Sequence, residues 1–171
     1  QKMNGNIITY VRIKDTGTRP DFERGYIRVG SKNYHADVVL HGPDQEALFR
    51  SMQGKILEKC IQGYNCSIFA YGQTGSGKTY TIEGTRESPG LVQRSLAFLH
   101  DVYPQVRLSF IEIYNENTAD LLDPERPISI RDDPQEGITV DNLSIHTAAT
   151  LEESLALYGR GVLNRRRTAT S

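Results

Sequence analysis

Eight consecutive residues combine glycines, a lysine and hydroxyl side chains at a spacing suited to binding phosphate. The run reads Gly72-Gln73-Thr74-Gly75-Ser76-Gly77-Lys78-Thr79 and fits the P-loop pattern G-x-x-x-x-G-K-[S/T]. Glycines let the backbone bend tightly and present successive N–H groups to phosphate oxygens, because no Cβ stands in the way. A Gly-rich surface turn is the alternative, but the complete pattern favours a nucleotide phosphate site.

The end of this run carries the predicted chemistry. A helix that begins at about Gly77 directs the positive end of its dipole at a bound anion. Lys78 supplies a mobile charge for the β- and γ-phosphates, and the hydroxyl of Thr79 can take one position on Mg²⁺. Lys78 and Thr79 are therefore the predicted catalytic residues, with Thr79 also the predicted metal ligand.

The composition of the whole chain limits the partners that it can have. The 171 residues are 37% apolar and 24% charged, which is ordinary for a soluble globular protein. The formal net charge of −1 gives no overall basic surface, so we expect no nucleic-acid partner. No apolar stretch is long enough to cross a bilayer, so we expect no membrane insertion. Cys60 and Cys66 lack a metal-binding spacing and are predicted to be reduced thiols.

Hydrophobic periodicity predicts the elements that position the phosphate site. Apolar side chains at helical spacing predict a helix after the N-cap Asp44 and another over Leu91 to Val102. The capping box Thr150 to Glu153 predicts a third helix, and Asn117 to Leu122 looks like a short helical turn. Strands are predicted over residues 7–14, 26–29, 34–40, 67–71, 106–114, 128–131, 138–140 and 143–145. This mixture predicts an α/β fold with helices on both faces of one sheet.

Three segments, in this order and spacing, resemble the motor domains of kinesins. The first is the run from Gly63 to Thr81, which resembles the nucleotide-binding signature of that family. The second is Phe110-Ile111-Glu112-Ile113-Tyr114-Asn115-Glu116 followed by Asp120-Leu121-Leu122, and the third is Gly161-Val162-Leu163-Asn164-Arg165. They are similar to the family's S-Y-x-E-I-Y-N-E…D-L-L segment and to its G-x-x-N-R segment, which leads into switch I.

The resemblance implies a P-loop NTPase-type fold, kinesin/myosin-like, whose central mixed β-sheet is incomplete at the C-terminal side. Residues 1–171 would then be the N-terminal part of a single motor domain. The family's switch I, switch II and neck regions are not found in the sequence, which ends at Ser171 just short of switch I. The stretches after Lys14 and Gly84 also look short for the family. We expect either a truncated protein or a sequence from which flexible loops and a C-terminal half are left out.

The resemblance also implies residues around the nucleotide base. The family holds adenine near an R-x-R-P motif, where this chain has Arg12-Ile13-Lys14 followed by Asp15. Lys14 thus replaces the second arginine, and Asp15 stands in place of the proline. Tyr80 matches the position whose ring stacks on adenine. As the alternative, Tyr80 is an ordinary helix residue that packs on the sheet.

Two basic residues match the family's microtubule contacts. Arg107 lies on the strand before the E-I-Y segment, and Arg131 lies on the loop after D-L-L. Carboxylates fill much of that loop, and like charges oppose docking on the acidic tubulin surface; they are Asp132, Asp133, Glu136 and Asp141. Solvated charges at a strand edge are the alternative reading of both arginines.

The function implied by the resemblance is that of a microtubule-based motor. The cofactors would be ATP or ADP with Mg²⁺, and hydrolysis would belong to the complete protein and not to this chain alone. The expected location is the cytoplasm and its microtubule cytoskeleton. The Arg12-Ile13-Lys14 run also resembles the R-V-K-P variant of kinesins in cilia and flagella. A stalk outside the chain could form homo-oligomers. A non-motor homologue that binds nucleotide weakly, and an unrelated P-loop NTPase, remain as alternatives.

Overall fold

The computed structural model describes residues 7–14, 21–23, 26–135 and 137–168. The chain divides into two compact units, Gln1–Arg94 and Ser95–Ser171. None of the described helices is long and apolar enough to cross a membrane.

The strands of the first unit form two small sheets. β1 (Tyr10–Ile13) pairs in parallel with β5 (Val38–His41), so that Tyr10 lies opposite Val38. A three-stranded antiparallel sheet precedes β5; its strands are β2 (Asp21–Glu23), β3 (Tyr26–Val29) and β4 (Lys32–His35). The parallel pair fixes the position of Arg12, which is opposite Leu40.

A helical segment follows β5 and confirms the predicted N-cap. The carboxylate of Asp44 accepts the N–H of Ala47 at 2.9 Å and caps α1 (Gln45–Met52). A π-helical segment (Gln53–Leu57) and α2 (Glu58–Ile61) continue it. The hydroxyl of Tyr10 donates to the carbonyl of Ser51 at 3.0 Å, close to the start of the π-helical segment.

The remaining helices match the predictions from sequence. α3 (Lys78–Ile82) follows Gly77, and α4 covers Leu91–Val102 as predicted. The last helix, α5 (Leu151–Thr168), begins after Thr150, whose hydroxyl accepts the N–H of Glu153. α5 continues past Gly159 and Gly161.

The strands of the second unit form three antiparallel pairs. β6 (Val106–Leu108) pairs with β11 (His146–Ala148), and β7 (Ile111–Tyr114) pairs with β8 (Asn117–Asp120). β9 (Ser129–Asp133) and β10 (Gly137–Asp141) form a hairpin.

Asp120 connects several segments of the second unit. Its side chain is fully buried and accepts the N–H groups of Leu122 at 2.8 Å, Asp123 at 3.1 Å and Ser144 at 2.7 Å. Burial raises the pKa of Asp120, but the hydrogen bonds from Ser144, Leu122 and Asp123 outweigh it, and the net pKa is lower than usual. This carboxylate therefore fixes the chain after β8.

Two segments that carry the family resemblance meet within this unit. The side-chain amide of Asn164 donates to the carbonyl of Leu121 at 2.8 Å, which ties α5 to the D-L-L segment. The ring of Phe110 stacks on Tyr158 at 5.7 Å and lies where a Cβ on Gly161 would be. Gly161 is thus required by the close approach of Phe110.

Two predicted strands are each divided in two, residues 34–40 at 36–37 and residues 106–114 at 109–110. Three further predicted elements were wrong. Residues 67–71 form no strand: Phe69 is 88% exposed, and no described strand supplies hydrogen-bond partners for this run. Asn117 to Leu122 is not helical, because Asn115 and Glu116 both take positive φ and form a two-residue hairpin turn. The strand predicted over residues 143–145 lies later, at β11, after the left-handed Asn142.

The architecture agrees with the predicted α/β class. Within the described residues the strands form five small sheets. The central mixed sheet and the single motor domain over residues 1–171 stay predictions.

Candidate functional site

The loop Gly72 to Thr79 is an exposed turn that leads directly into α3. The N–H of Ser76 donates to the carbonyl of Gln73 at 3.1 Å, which closes a turn inside the loop. Gly77 is the N-cap of α3. Its φ of +98° is a backbone conformation that residues with a side chain rarely adopt. A Cβ on Gly72 would lie 2.5 Å from Oγ of Ser76. The loop therefore depends on its glycines, as the P-loop pattern predicts.

Lys78 lies over this loop. Its ammonium donates to the carbonyl of Gly72 at 2.7 Å and to that of Gln73 at 3.0 Å. Both acceptors are part of the loop itself, so the positive charge is held where phosphate oxygens are expected. Thr79 is the first residue after Lys78 in α3 and is exposed.

Arg12 and Tyr80, the predicted base-binding pair, are brought together. The guanidinium carbon of Arg12 lies 5.0 Å from the centre of the Tyr80 ring, within range of a cation–π interaction. The hydroxyl of Tyr80 donates to the carbonyl of Pro43 at 3.0 Å and lies 3.3 Å from Oγ of Ser88. These contacts hold the ring against the loop that follows β5.

The sequence analysis missed the residues that orient this pair. Gln45 is 2% exposed. Its Oε1 accepts a hydrogen bond from Nη1 of Arg12 at 2.7 Å, and its Nε2 donates one to the carbonyl of Tyr80 at 2.5 Å. The hydroxyl of Thr81 accepts a second hydrogen bond from Nη1 of Arg12 at 3.1 Å, and the carbonyl of Gly42 accepts one from Nε of Arg12 at 3.1 Å. A signal existed, because Gln45 shares the buried face of α1 with Leu48, Phe49 and Met52.

One polar atom of this cluster lacks a hydrogen-bond partner among the residues that the structure describes. Nη2 of Arg12 is buried and makes no hydrogen bond within the described part of the chain. A buried donor without an acceptor costs about 1–3 kcal/mol. A ligand with hydrogen-bond acceptors or a π-face would satisfy it, and a nucleotide base has both. Together with the glycine-dependent loop, this atom fits the predicted nucleotide.

The three other predicted site residues are exposed. Lys14 is exposed and, among the described residues, makes no hydrogen bond or ion pair with the loop or with Arg12. Arg107 is exposed on β6 and forms no ion pair within the described part of the chain. Arg131 donates from Nη2 to Oδ1 of Asp141 at 2.7 Å, and its Nε also contacts that carboxylate.

Comparison with known proteins decides the family. The family model of the kinesin motor domain matches residues 6–171. The chain belongs to the kinesin motor family. Relatives include the kinesin-like protein KIF18B of Homo sapiens, which is 39% identical over 96% of this chain and 21% of that protein. KIF18B of Gallus gallus is 39% identical over 75% of the chain and 17% of its own length.

A yeast relative extends this similarity. The kinesin-like protein KIP3 of Saccharomyces cerevisiae is 36% identical over 74% of the chain and 17% of that protein. The chain thus spans about a fifth of the length of these kinesin-like relatives. The resemblance found from the sequence is confirmed as a family relationship.

Proposed function

We propose that this chain is the nucleotide-binding, N-terminal part of a microtubule-based motor domain. The observation that carries the proposal is the glycine-dependent loop of residues 72–79 with the ammonium of Lys78 held over it. Membership of the kinesin family supports it. We also infer that a central mixed β-sheet forms in the complete motor domain, where further strands can pair with residues 67–71.

Each residue of the site has a proposed role in holding nucleotide. The N–H groups of residues 73–78 bind the α- and β-phosphates, and Lys78 moves from the loop carbonyls to the β- and γ-phosphates. The hydroxyl of Thr79 holds Mg²⁺, which neutralises charge on the phosphate oxygens when it is bound. Tyr80 stacks on the base, and Arg12 supplies its unpaired Nη2. Lys14, being exposed, has at most a peripheral part in base binding.

In the complete protein, we propose that ATP hydrolysis is stimulated by microtubules and drives movement along them. Arg107 and Arg131 are the proposed contacts with the acidic tubulin surface. The proposed location is the cytoplasmic microtubule cytoskeleton, and a stalk outside residues 1–171 is the proposed route to homo-oligomers. The ciliary alternative rests on the Arg12-Ile13-Lys14 run alone.

A steady-state ATPase assay of the full-length protein tests this function. We expect hydrolysis to increase at least about tenfold as microtubules are added, and to follow a saturation curve. Tight nucleotide binding with no stimulation by microtubules would contradict the motor proposal, and weak binding with no stimulation would favour the non-motor homologue. Failure to bind nucleotide at all would contradict the assignment of the loop.

A further inference from the structure

The hairpin of β9 and β10 carries one positive charge among several carboxylates, and the two faces of the ribbon differ. Arg131, Asp133, Thr139 and Asp141 share one face, since Arg131 lies opposite Thr139 in the antiparallel register. Asp132 lies opposite Ile138 and belongs to the other face. The position of each carboxylate relative to Arg131 is therefore fixed by the register.

Asp141 is the carboxylate that Arg131 contacts. Two nitrogens of the guanidinium face two oxygens of the carboxylate, Nη2 with Oδ1 and Nε with Oδ2. This two-pronged arrangement is the strongest that arginine forms with a carboxylate. It occupies the Nε–Nη2 edge of the guanidinium and offsets the positive charge that would attract an acidic partner.

Among the described residues, no other carboxylate of the hairpin contacts Arg131. Oδ1 of Asp133 accepts the N–H of Gln135 at 2.8 Å and so forms part of the turn. Asp132 is on the face opposite to Arg131. Removal of the Asp141 carboxylate would therefore leave the guanidinium free toward solvent.

We propose that Asp141 is an internal competitor that restrains Arg131 from docking on the acidic surface of the microtubule. This inference rests on the proposed function, since it assigns a restraint to the proposed contact between Arg131 and tubulin. The side chains of Arg131 and Asp141 are 68% and 31% exposed, so the pair opens readily in water. The restraint is therefore weak, because an ion pair of this exposure changes a binding equilibrium, here that with the microtubule, by at most about fivefold.

Co-sedimentation of the full-length protein with microtubules at low ionic strength tests the restraint. We expect Asp141→Asn to lower the Kd about threefold to fivefold, and the gain to disappear at high salt because both effects are electrostatic. Asp132→Asn is the matched control, since it removes the same charge from the same hairpin without releasing Arg131. It should change the Kd less than about twofold.

The arginine itself provides the second arm of the test. Arg131→Gln should have little effect alone but should abolish the gain of Asp141→Asn in the double variant, a non-additivity that is diagnostic of coupling. Equal gains in microtubule affinity from Asp141→Asn and Asp132→Asn would overturn the restraint, because the change in net charge alone would then explain both. A loss of several-fold from Arg131→Gln alone would also overturn it. If no variant binds microtubules, the proposed function itself fails.

Discussion

The nucleotide loop and the surroundings of Asp120 are held in opposite ways. Most of the residues between Gly72 and Thr79 are exposed, and within the described part of the chain the lysine of the loop donates to carbonyls of the same loop. Asp120 is fully buried, and its carboxylate accepts N–H groups from three residues. Lys78 is therefore accessible to a ligand, whereas Asp120 is enclosed by the protein and already bonded to its N–H groups. An ionisable residue in a family motif can thus be a binding group or a structural one, and its partners distinguish the two.

The sharpest test of this contrast is Lys78→Ala, for which we expect the largest effect. Nucleotide affinity should fall at least about a hundredfold, because the charge-assisted contacts with phosphate are lost. The free energy of unfolding should change by less than about 0.5 kcal/mol, since the partners of Lys78 among the described residues are carbonyls of the exposed loop. Calorimetric titration with Mg·ATP and urea denaturation measure the two quantities.

Lys32→Ala is the control for Lys78→Ala. Lys32 is an exposed lysine on β4, and its removal should leave both quantities unchanged. Unaltered nucleotide affinity in Lys78→Ala would contradict the role of this residue, however well the loop fits the pattern.

Asp120→Ala should give the reverse result. Three buried N–H groups would lose their acceptor, and we expect a loss of about 2–4 kcal/mol in the free energy of unfolding. Asp120→Asn keeps one acceptor oxygen and should lose less. Asp101→Ala, at an exposed position near the end of α4, is the neutral control in the same denaturation experiment. Full stability of Asp120→Ala would mean that the hydrogen bonds contribute no net stabilisation.

Acid should lower the free energy of unfolding by protonating the carboxylate of Asp120. The folded-state pKa of Asp120 lies below the value of about 3.9 that is usual for an unfolded chain. Its contribution to stability is therefore fully present above that value and is lost as pH falls through the lower, folded pKa. Urea midpoints between about pH 6 and pH 2.5 should decline less steeply for Asp120→Asn than for the parent. Parallel curves would contradict this assignment.

Local patterns in the sequence predicted those parts of the molecule that local interactions decide. The side-chain cap at Asp44, the periodic helix from Leu91 to Val102 and the glycine loop depend on neighbours in sequence, and all three formed as predicted. The helix predicted at Asn117 failed because two preceding residues adopt positive φ, which favours a hairpin. Asn115 was the available signal, because asparagine is among the residues that adopt positive φ in two-residue hairpin turns.

Long-range contacts account for what the sequence did not predict. Residues 67–71 have the composition of a strand, but a strand also needs a partner, which composition does not specify. The part played by Gln45 depends on contacts with Arg12 and Tyr80, 33 and 35 residues away. A polar residue on a buried helix face signals that some partner exists without saying which one.

The smallest expected effect separates the two ends of the nucleotide site. Tyr80→Phe removes the hydrogen bond to Pro43 but keeps the ring near Arg12, so ATP affinity should fall less than about threefold. Tyr80→Ala removes the ring as well and should lower ATP affinity about tenfold. Inorganic triphosphate has no base, so its binding should be insensitive to both changes but sensitive to Lys78→Ala. If Tyr80→Ala weakened triphosphate as much as ATP, the ring would be acting through the shape of the loop, and Tyr80 would be a positioning residue instead of a base contact.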